Sequence, residues 1–136
     1  MRYYDDTGKH IRPELLNEEA QQAARQFVRL QGERVSERDS IKNSQLRRFF
    51  NEFKGLERQL AQRQGEREEV FRSIKPLVKM ANAKVEYARA RKVVPDAFVA
   101  WLKQHVQAID TARDFEAFVL HFEAVVGFCY GLNPKD

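Results

Sequence analysis

Apolar residues recur along the whole chain at intervals of three and four, and this helical period is the feature that most constrains its fold. Near the C-terminus the pattern runs through Phe115, Phe118, Val119, Phe122, Val125, Val126 and Cys129. No stretch alternates apolar and polar residues over the length of a strand. The sequence therefore predicts an all-α fold, a compact bundle of five or six helices.

Turn-forming residues bound the first two predicted helices. Pro13 suits a first helical turn, and Gly32 suits a helix stop. Asn43 or Ser44 is placed to cap the second helix, which we expect over about 44–64.

The last two predicted helices have their own start signals. Pro95 opens a helix whose apolar stripe includes Trp101. Thr111, followed three residues later by Asp114, resembles a capping box at the start of the final helix, which we expect to end near Gly131.

A long helical pattern over about 66–91 contains Pro76, which cannot donate a hydrogen bond to the Arg72 carbonyl. Unbroken, this helix would be about 39 Å long, more than the rest of so small a domain can cover. Two outcomes are open. Either Pro76 kinks or breaks the helix, or the overhang packs on another copy of the chain in a homodimer.

The chain of 136 residues suits one domain with its own core. We expect a single all-helical domain over 1–136, with residues 1–11 flexible and a charged loop over 32–42. No apolar run approaches the roughly 20 residues that span a bilayer, and the N-terminus lacks a signal-peptide core. The single cysteine, Cys129, excludes an internal disulfide. These features predict a cytoplasmic protein with no membrane partner.

Residues suited to catalysis or metal binding are scattered along the chain. His10, His105 and His121 lack the spacing that places two ligands on one helical face, and the glycines are spread singly. His105 lies beside an apolar stripe and Cys129 on an apolar face, so we interpret both as core residues. The sequence predicts no enzyme, no metal site and no cofactor.

The net charge of +4 hides a strong asymmetry along the chain. Residues 1–40 carry a net charge of −1, residues 41–92 carry +8, and residues 93–136 carry −3. A basic middle third indicates a localised surface for polyanions, the alternative being a solvated run of charge.

The predicted helix over 44–64 carries a stripe of donors beside its apolar face. At 100° per residue, three side chains fall within about 40° of Arg47, which makes a stripe of four. They are Arg47, Asn51, Lys54 and Arg58. Glu52 and Glu57 lie off this stripe, so we expect neither to neutralise it by i,i+4 pairing. A row of donors without acids fits contacts with the phosphates of a nucleic-acid strand better than an ordinary solvated face.

The pattern over 66–91 carries a second, less regular cationic face. It comprises Lys75, Lys79, Asn82 and Arg89. Glu86 interrupts it. Tyr87, with Arg91 beyond it, is a candidate for stacking on a base, the alternative being a tyrosine at the rim of the core. No helix-turn-helix, RNP or zinc-finger motif is present, so a sequence-reading role is not predicted.

Three segments also stand in a recognisable order. They are IKNSQLRRFFNE (41–52), IKP (74–76) with YARAR (87–91), and FEAFV (115–119) with FEAVVG (122–127). Over roughly residues 41–131, their order and spacing and the total length resemble the small helical subunit of type III-A CRISPR–Cas effector (Csm) complexes.

The resemblance implies a non-catalytic, all-helical subunit that stacks in several copies along a ribonucleoprotein filament. Such a subunit faces the duplex of guide RNA and target RNA, contacts backbone without reading sequence, and packs against other Csm subunits, while a different subunit cleaves the target. The residues then predicted to bind RNA are Arg47, Asn51, Lys54, Arg58, Lys75, Lys79, Arg89 and Arg91. Single-stranded DNA remains a further partner, because phosphate contacts do not discriminate sugars. The alternative function is a helical protein–protein adaptor without intrinsic nucleic-acid binding, whose partner binds the acidic C-terminal helix.

Overall fold

The computed structural model describes residues 2–134, which form six α-helices, one short 3₁₀-helix and a small two-stranded hairpin. The α-helices are α1 (Glu18–Phe27), α2 (Asn43–Gln62), α3 (Arg67–Lys79), α4 (Ala81–Ala90), α5 (Asp96–Ala108) and α6 (Ala112–Leu132). The 3₁₀-helix Pro13–Leu16 precedes α1. Strands β1 (Leu30–Gln31) and β2 (Arg34–Val35) pair antiparallel, with Leu30 opposite Val35. The predicted all-α bundle is confirmed.

Helix α6 is the centre of the bundle and packs chiefly against α1 and α2. Phe115, Phe118 and Phe122 are fully buried along it. By length and composition alone α6 could cross a membrane, with a mean hydropathy of 1.4, so one segment is more apolar than the sequence analysis expected. The core helix of a soluble protein passes the same test, and the burial of these rings makes α6 a core helix here.

Aromatic rings from α1, α5 and α6 meet around Trp101. The Trp101 ring centroid lies 5.2 Å from that of Phe27 and 5.0 Å from that of Phe122, both with edge-on geometry. Phe98 packs on the same cluster at 5.5 Å. Burying such rings stabilises a fold by roughly 1.5–3 kcal/mol each, so this cluster anchors α5 to α6.

The first helical region ends earlier than predicted. Pro13 does open a helical turn, but α1 ends at Phe27 rather than near Gly32. Gly32 has a φ of 65°, and it forms the turn between β1 and β2. Glycine adopts a positive φ without steric cost, and a tight hairpin turn needs that freedom as much as a helix stop does.

Helix α2 begins without the predicted side-chain cap. Its N-cap is Lys42, and no side chain makes the capping hydrogen bond. Asn43 is buried instead, and its Nδ2 donates to the Asn133 carbonyl at 3.1 Å, which ties the start of α2 to the end of α6. At α6 the capping box is confirmed, because Thr111 and Asp114 make both reciprocal hydrogen bonds.

The long pattern over 66–91 forms two helices that meet at Met80. Pro76 lies inside α3, which continues for three more residues beyond it. The Met80 amide donates to the Pro76 carbonyl at 3.0 Å, and the Met80 carbonyl accepts from Ala83 at 3.1 Å as α4 begins. The predicted interruption of the long helix is therefore confirmed, but it lies at Met80 and not at Pro76. The overhang that suggested a homodimer is absent, because α3 and α4 span only 13 and 10 residues.

Two segments expected to be irregular have tertiary structure. Within residues 2–11, Tyr4 pairs with Ile11 in an isolated antiparallel bridge, and Tyr3 is buried. The segment 32–42, expected to be a charged loop, contains β2 and the buried Ile41. Each segment therefore contributes a buried side chain to the core.

Candidate nucleic-acid interface

The four predicted residues of α2 form a stripe on the outside of the bundle. Helix α2 turns Leu46, Phe49 and Phe53 into the core, which leaves the stripe facing outward. Asn51 and Arg58 are exposed, whereas Arg47 and Lys54 are half-buried. We call Arg47, Asn51, Lys54 and Arg58 the α2 stripe.

One expectation about this stripe is wrong. Glu57 does neutralise part of it, because the Lys54 Nζ lies 2.7 Å from a Glu57 carboxylate oxygen in an i,i+3 pair. The i,i+3 separation brings two side chains together on a helix as well as i,i+4 does. Glu52 stays off the stripe as expected, since it pairs with Lys84 of α4.

The predicted cations of α3 are held by the C-terminal end of α5 and the residues after it. The Lys79 Nζ donates to the Val106 carbonyl at 2.7 Å. The Lys75 Nζ lies 3.6 Å from the Asp110 carboxylate. Both side chains are half-buried, so this face of α3 packs against the bundle.

Arg89 of α4 also has an internal partner. Its Nε donates to Glu86 at 3.0 Å, and Lys103 of α5 pairs with the same carboxylate. The hydrogen bond from Lys103 lowers the pKa of Glu86 most, and the one from Arg89 lowers it further. Of the second predicted face, Lys79 therefore bonds α5 and Lys75 the segment after it, whereas Arg89 pairs along α4 and stays exposed.

A groove of about 290 Å³ runs between α2 and α4. Its lining residues are Gln45, Arg48, Phe49, Glu52, Met80, Ala83, Lys84, Tyr87, Ala88 and Arg91. The Tyr87 side chain is the most exposed large apolar group among the described residues, at 66%. The Arg91 guanidinium lies 5.6 Å from the centre of the Tyr87 ring, within cation–π range.

The comparison with protein families gives one match. A family model described as Csm2 Type III-A matches residues 12–131, which is most of the chain. The chain belongs to this family. It is therefore a subunit of a type III-A Csm complex, with other Csm subunits as partners, in a family of structural subunits. No curated protein and no solved structure matches the chain.

The Csm2 family match confirms the resemblance found over residues 41–131 and extends it to residue 12. All eight predicted RNA-binding residues lie inside the match. The structure does not gather them into one site. The α2 stripe has its own surface, Lys75, Lys79 and Arg89 contact internal partners, and Arg91 lines the groove.

Sequence reasoning missed Arg48 and Lys84 of the groove. Arg48 follows Arg47 and therefore lies about 100° around α2 from the stripe. Lys84 and Arg91 are seven residues apart, two helical turns, with Tyr87 between them on the same side. That spacing could have indicated the α4 side of the groove. Arg48 could not be assigned to the groove from sequence, because its place there depends on how α2 packs against α4.

The interpretation of His105 and Cys129 as core residues is confirmed, since both are buried. Burial lowers the pKa of His105 to about 3, so the ring is neutral at physiological pH. Burial raises the pKa of the Cys129 thiol to about 12, which keeps it from being a reactive thiolate.

Proposed function

We propose that this Csm2-family chain is a non-catalytic subunit that binds RNA without reading its sequence. In this proposal it lines the duplex of guide RNA and target RNA in a cytoplasmic type III-A interference complex, together with other Csm subunits and further copies of itself. The complex defends the cell against foreign nucleic acid. The carrying observation is the α2 stripe, a row of donors on the outside of a family member's bundle.

The geometry of the stripe suits a phosphate backbone. Successive turns of α2 place donors about 5.4 Å apart along one line. Arg58 is exposed and makes no ion pair with any residue in the described part of the chain. A guanidinium has donors only and a shape that matches phosphate oxygens. Contacts of this kind position a strand and carry no base information.

The second predicted set contributes less in this proposal. Lys75, Lys79 and Arg89 each have a partner within the bundle, as Lys54 of the α2 stripe does. To contact a phosphate, each would first give up that partner, so the net gain per contact is smaller than for an exposed arginine. Arg91, whose guanidinium lies over the Tyr87 ring, belongs with the stronger group.

Salt dependence of RNA binding tests the proposal. Fluorescence anisotropy of a labelled single-stranded RNA should show an affinity that falls with salt, with a log–log slope of about −0.7 per phosphate contact. The triple variant Arg47→Ala/Lys54→Ala/Arg58→Ala should flatten this slope by about two units. Circular dichroism should show unchanged helicity.

A matched control separates a local contact from total charge. Arg25→Ala/Arg34→Ala/Arg38→Ala removes the same charge from exposed positions on α1 and the hairpin region, and it should leave the slope unchanged. Equal binding by the wild type and the stripe variant would contradict the proposal. If the wild type binds no RNA even at low salt, the chain acts instead as a protein–protein adaptor.

A further inference from the structure

The groove between α2 and α4 has the features of a second site. We propose that it binds one unpaired nucleotide of an RNA strand, with the base stacked on Tyr87 and a phosphate between Arg48 and Arg91. This inference rests on the proposed RNA binding. It adds a subsite that contacts a base by stacking, whereas the α2 stripe contacts only phosphates.

Tyr87 is the first support for this assignment. Its ring is mostly exposed, and the small side chains of Ala83 and Ala88 line the same groove. The core of the bundle therefore does not account for its position. An exposed aromatic ring next to cations is the usual platform for a nucleobase, and it accepts every base because each has a π face.

The charges at the rim are the second support. Lys84 and Glu52 pair across the groove at 3.0 Å and neutralise each other. Arg48 and Arg91 make no ion pair with any residue of the described chain, 2–134. Two guanidinium groups, one from α2 and one just beyond the end of α4, thus line the same groove as the ring. The groove accordingly favours an anion beside a flat apolar group.

The size of the groove favours a single nucleotide over a docked helix as its occupant. About 290 Å³ lies at the lower end of the roughly 300–1,000 Å³ of small-ligand pockets. A docked helix, about 10 Å across, needs a longer groove with several apolar pockets. One planar ring fits over the apolar floor of Phe49, Met80 and Ala88. A base paired within a duplex would have to give up its pairing and stacking energy to reach Tyr87, whereas an unpaired nucleotide does not, so the groove favours an unpaired nucleotide.

Paired strands test the base contact. The full-length chain is titrated with a labelled oligouridylate and with an abasic strand of equal length and charge. Tyr87→Ala should weaken oligouridylate binding about tenfold and leave abasic-strand binding unchanged. Tyr87→Phe should bind both strands like the wild type. Leu77→Ala, which trims another exposed apolar side chain on α3, is the control and should change neither affinity.

A second pair of variants tests the phosphate contact. Arg48→Gln should flatten the salt slope by about 0.7 for both strands, since both carry the phosphates. Arg25→Gln, at an exposed position on α1, should not change the slope. The two tests are independent, because one follows the base and the other follows the charge.

The outcomes separate this inference from the proposed function. Unchanged binding by Tyr87→Ala, or an equal loss on both strands, overturns the nucleotide subsite while the α2 stripe stands. Tyr87-dependent binding of an oligoglutamate peptide as tight as that of the oligouridylate would assign the groove to an acidic peptide and also overturn it. Binding of neither strand by the wild type at low salt overturns both proposals.

Discussion

Polar groups are arranged very differently on two sides of this bundle. Where the N-terminal segment meets α5 and α6, polar side chains are buried and bonded to one another. The Tyr3 hydroxyl lies 2.8 Å from Nδ1 of His105, and His121 is bonded on both ring nitrogens. At the α2–α4 side, Arg48, Tyr87 and Arg91 face solvent. The difference separates residues that hold the fold from residues available to a ligand.

The buried side also determines the state of one imidazole. The Trp101 Nε1–H can only donate, and it donates to Nε2 of His121 at 3.2 Å. The proton of the neutral ring is therefore on Nδ1, which donates to the Leu15 carbonyl at 2.6 Å. Burial lowers the pKa of both His105 and His121. The folded bundle keeps both rings neutral.

The largest expected effect is acid destabilisation of the buried side. The unfolded chain binds protons at these histidines below pH 6.5, whereas folded His105 stays neutral down to about pH 3. The contribution of the neutral histidines to stability is therefore complete above pH 6.5 and falls as the pH drops. The loss is up to about 1.4 kcal/mol per pH unit for each histidine, or about 2 kcal/mol from His105 alone by pH 5. Urea unfolding measured between pH 7.5 and 5 checks this.

Two substitutions assign that pH dependence. His105→Gln should reduce the slope of unfolding free energy against pH, whatever its effect on stability at pH 7.5. His10→Gln, at an exposed position, should leave the slope unchanged. An unfolding free energy of the wild type that stays constant from pH 6.5 to 5 would contradict the claim that the fold keeps these buried histidines neutral.

A smaller effect is expected from a matched pair of tyrosines. Tyr3→Phe removes the hydroxyl that bonds His105 in the core, which should lower the unfolding free energy by about 1–2 kcal/mol. The Tyr130 hydroxyl is buried without a hydrogen-bond partner in the described part of the chain, so Tyr130→Phe should be neutral or slightly stabilising. Urea denaturation of both variants makes the comparison. Equal losses would show that the Tyr3 bond contributes nothing specific.

The smallest expected effects compare one cation from each group. Lys79→Met keeps the apolar stem but removes the bond to the Val106 carbonyl, which should lower the unfolding free energy by about 0.5–1 kcal/mol at this half-buried position. Arg58→Met should leave stability unchanged and flatten the RNA salt slope by about 0.7. Thermal unfolding and anisotropy are measured on both. A larger loss of RNA binding from Lys79→Met than from Arg58→Met would reverse the assignment.

Local patterns were enough to predict most of the fold. The extent of α2 follows from its apolar period, and the capping box of α6 from Thr111 and Asp114 three residues apart, so both depend on neighbours along the chain. The interruption at Met80 was harder to place, because Pro76 is the stronger local breaker. A proline removes one hydrogen bond, however, and α3 tolerates that loss.

The candidate site was less predictable, because contacts between residues far apart in sequence decide which of its cations are exposed. A helical wheel treats Lys79 and Arg58 alike, yet Val106 is 27 residues from Lys79 in sequence and 2.7 Å away in space. The same limit hid Arg48, which joins Tyr87 only when α2 packs beside α4. Sequence spacing identified the cations, and tertiary packing decides which of them face solvent.

The position of Trp101 has a practical consequence. It is the sole tryptophan of the chain, and its ring sits in the aromatic cluster with its Nε1–H bonded to His121. The groove lining contains no tryptophan. Intrinsic fluorescence of this protein is therefore a spectroscopic reporter of core packing and of His121 protonation. A titration with RNA should leave that emission nearly constant, while acid or urea should shift it.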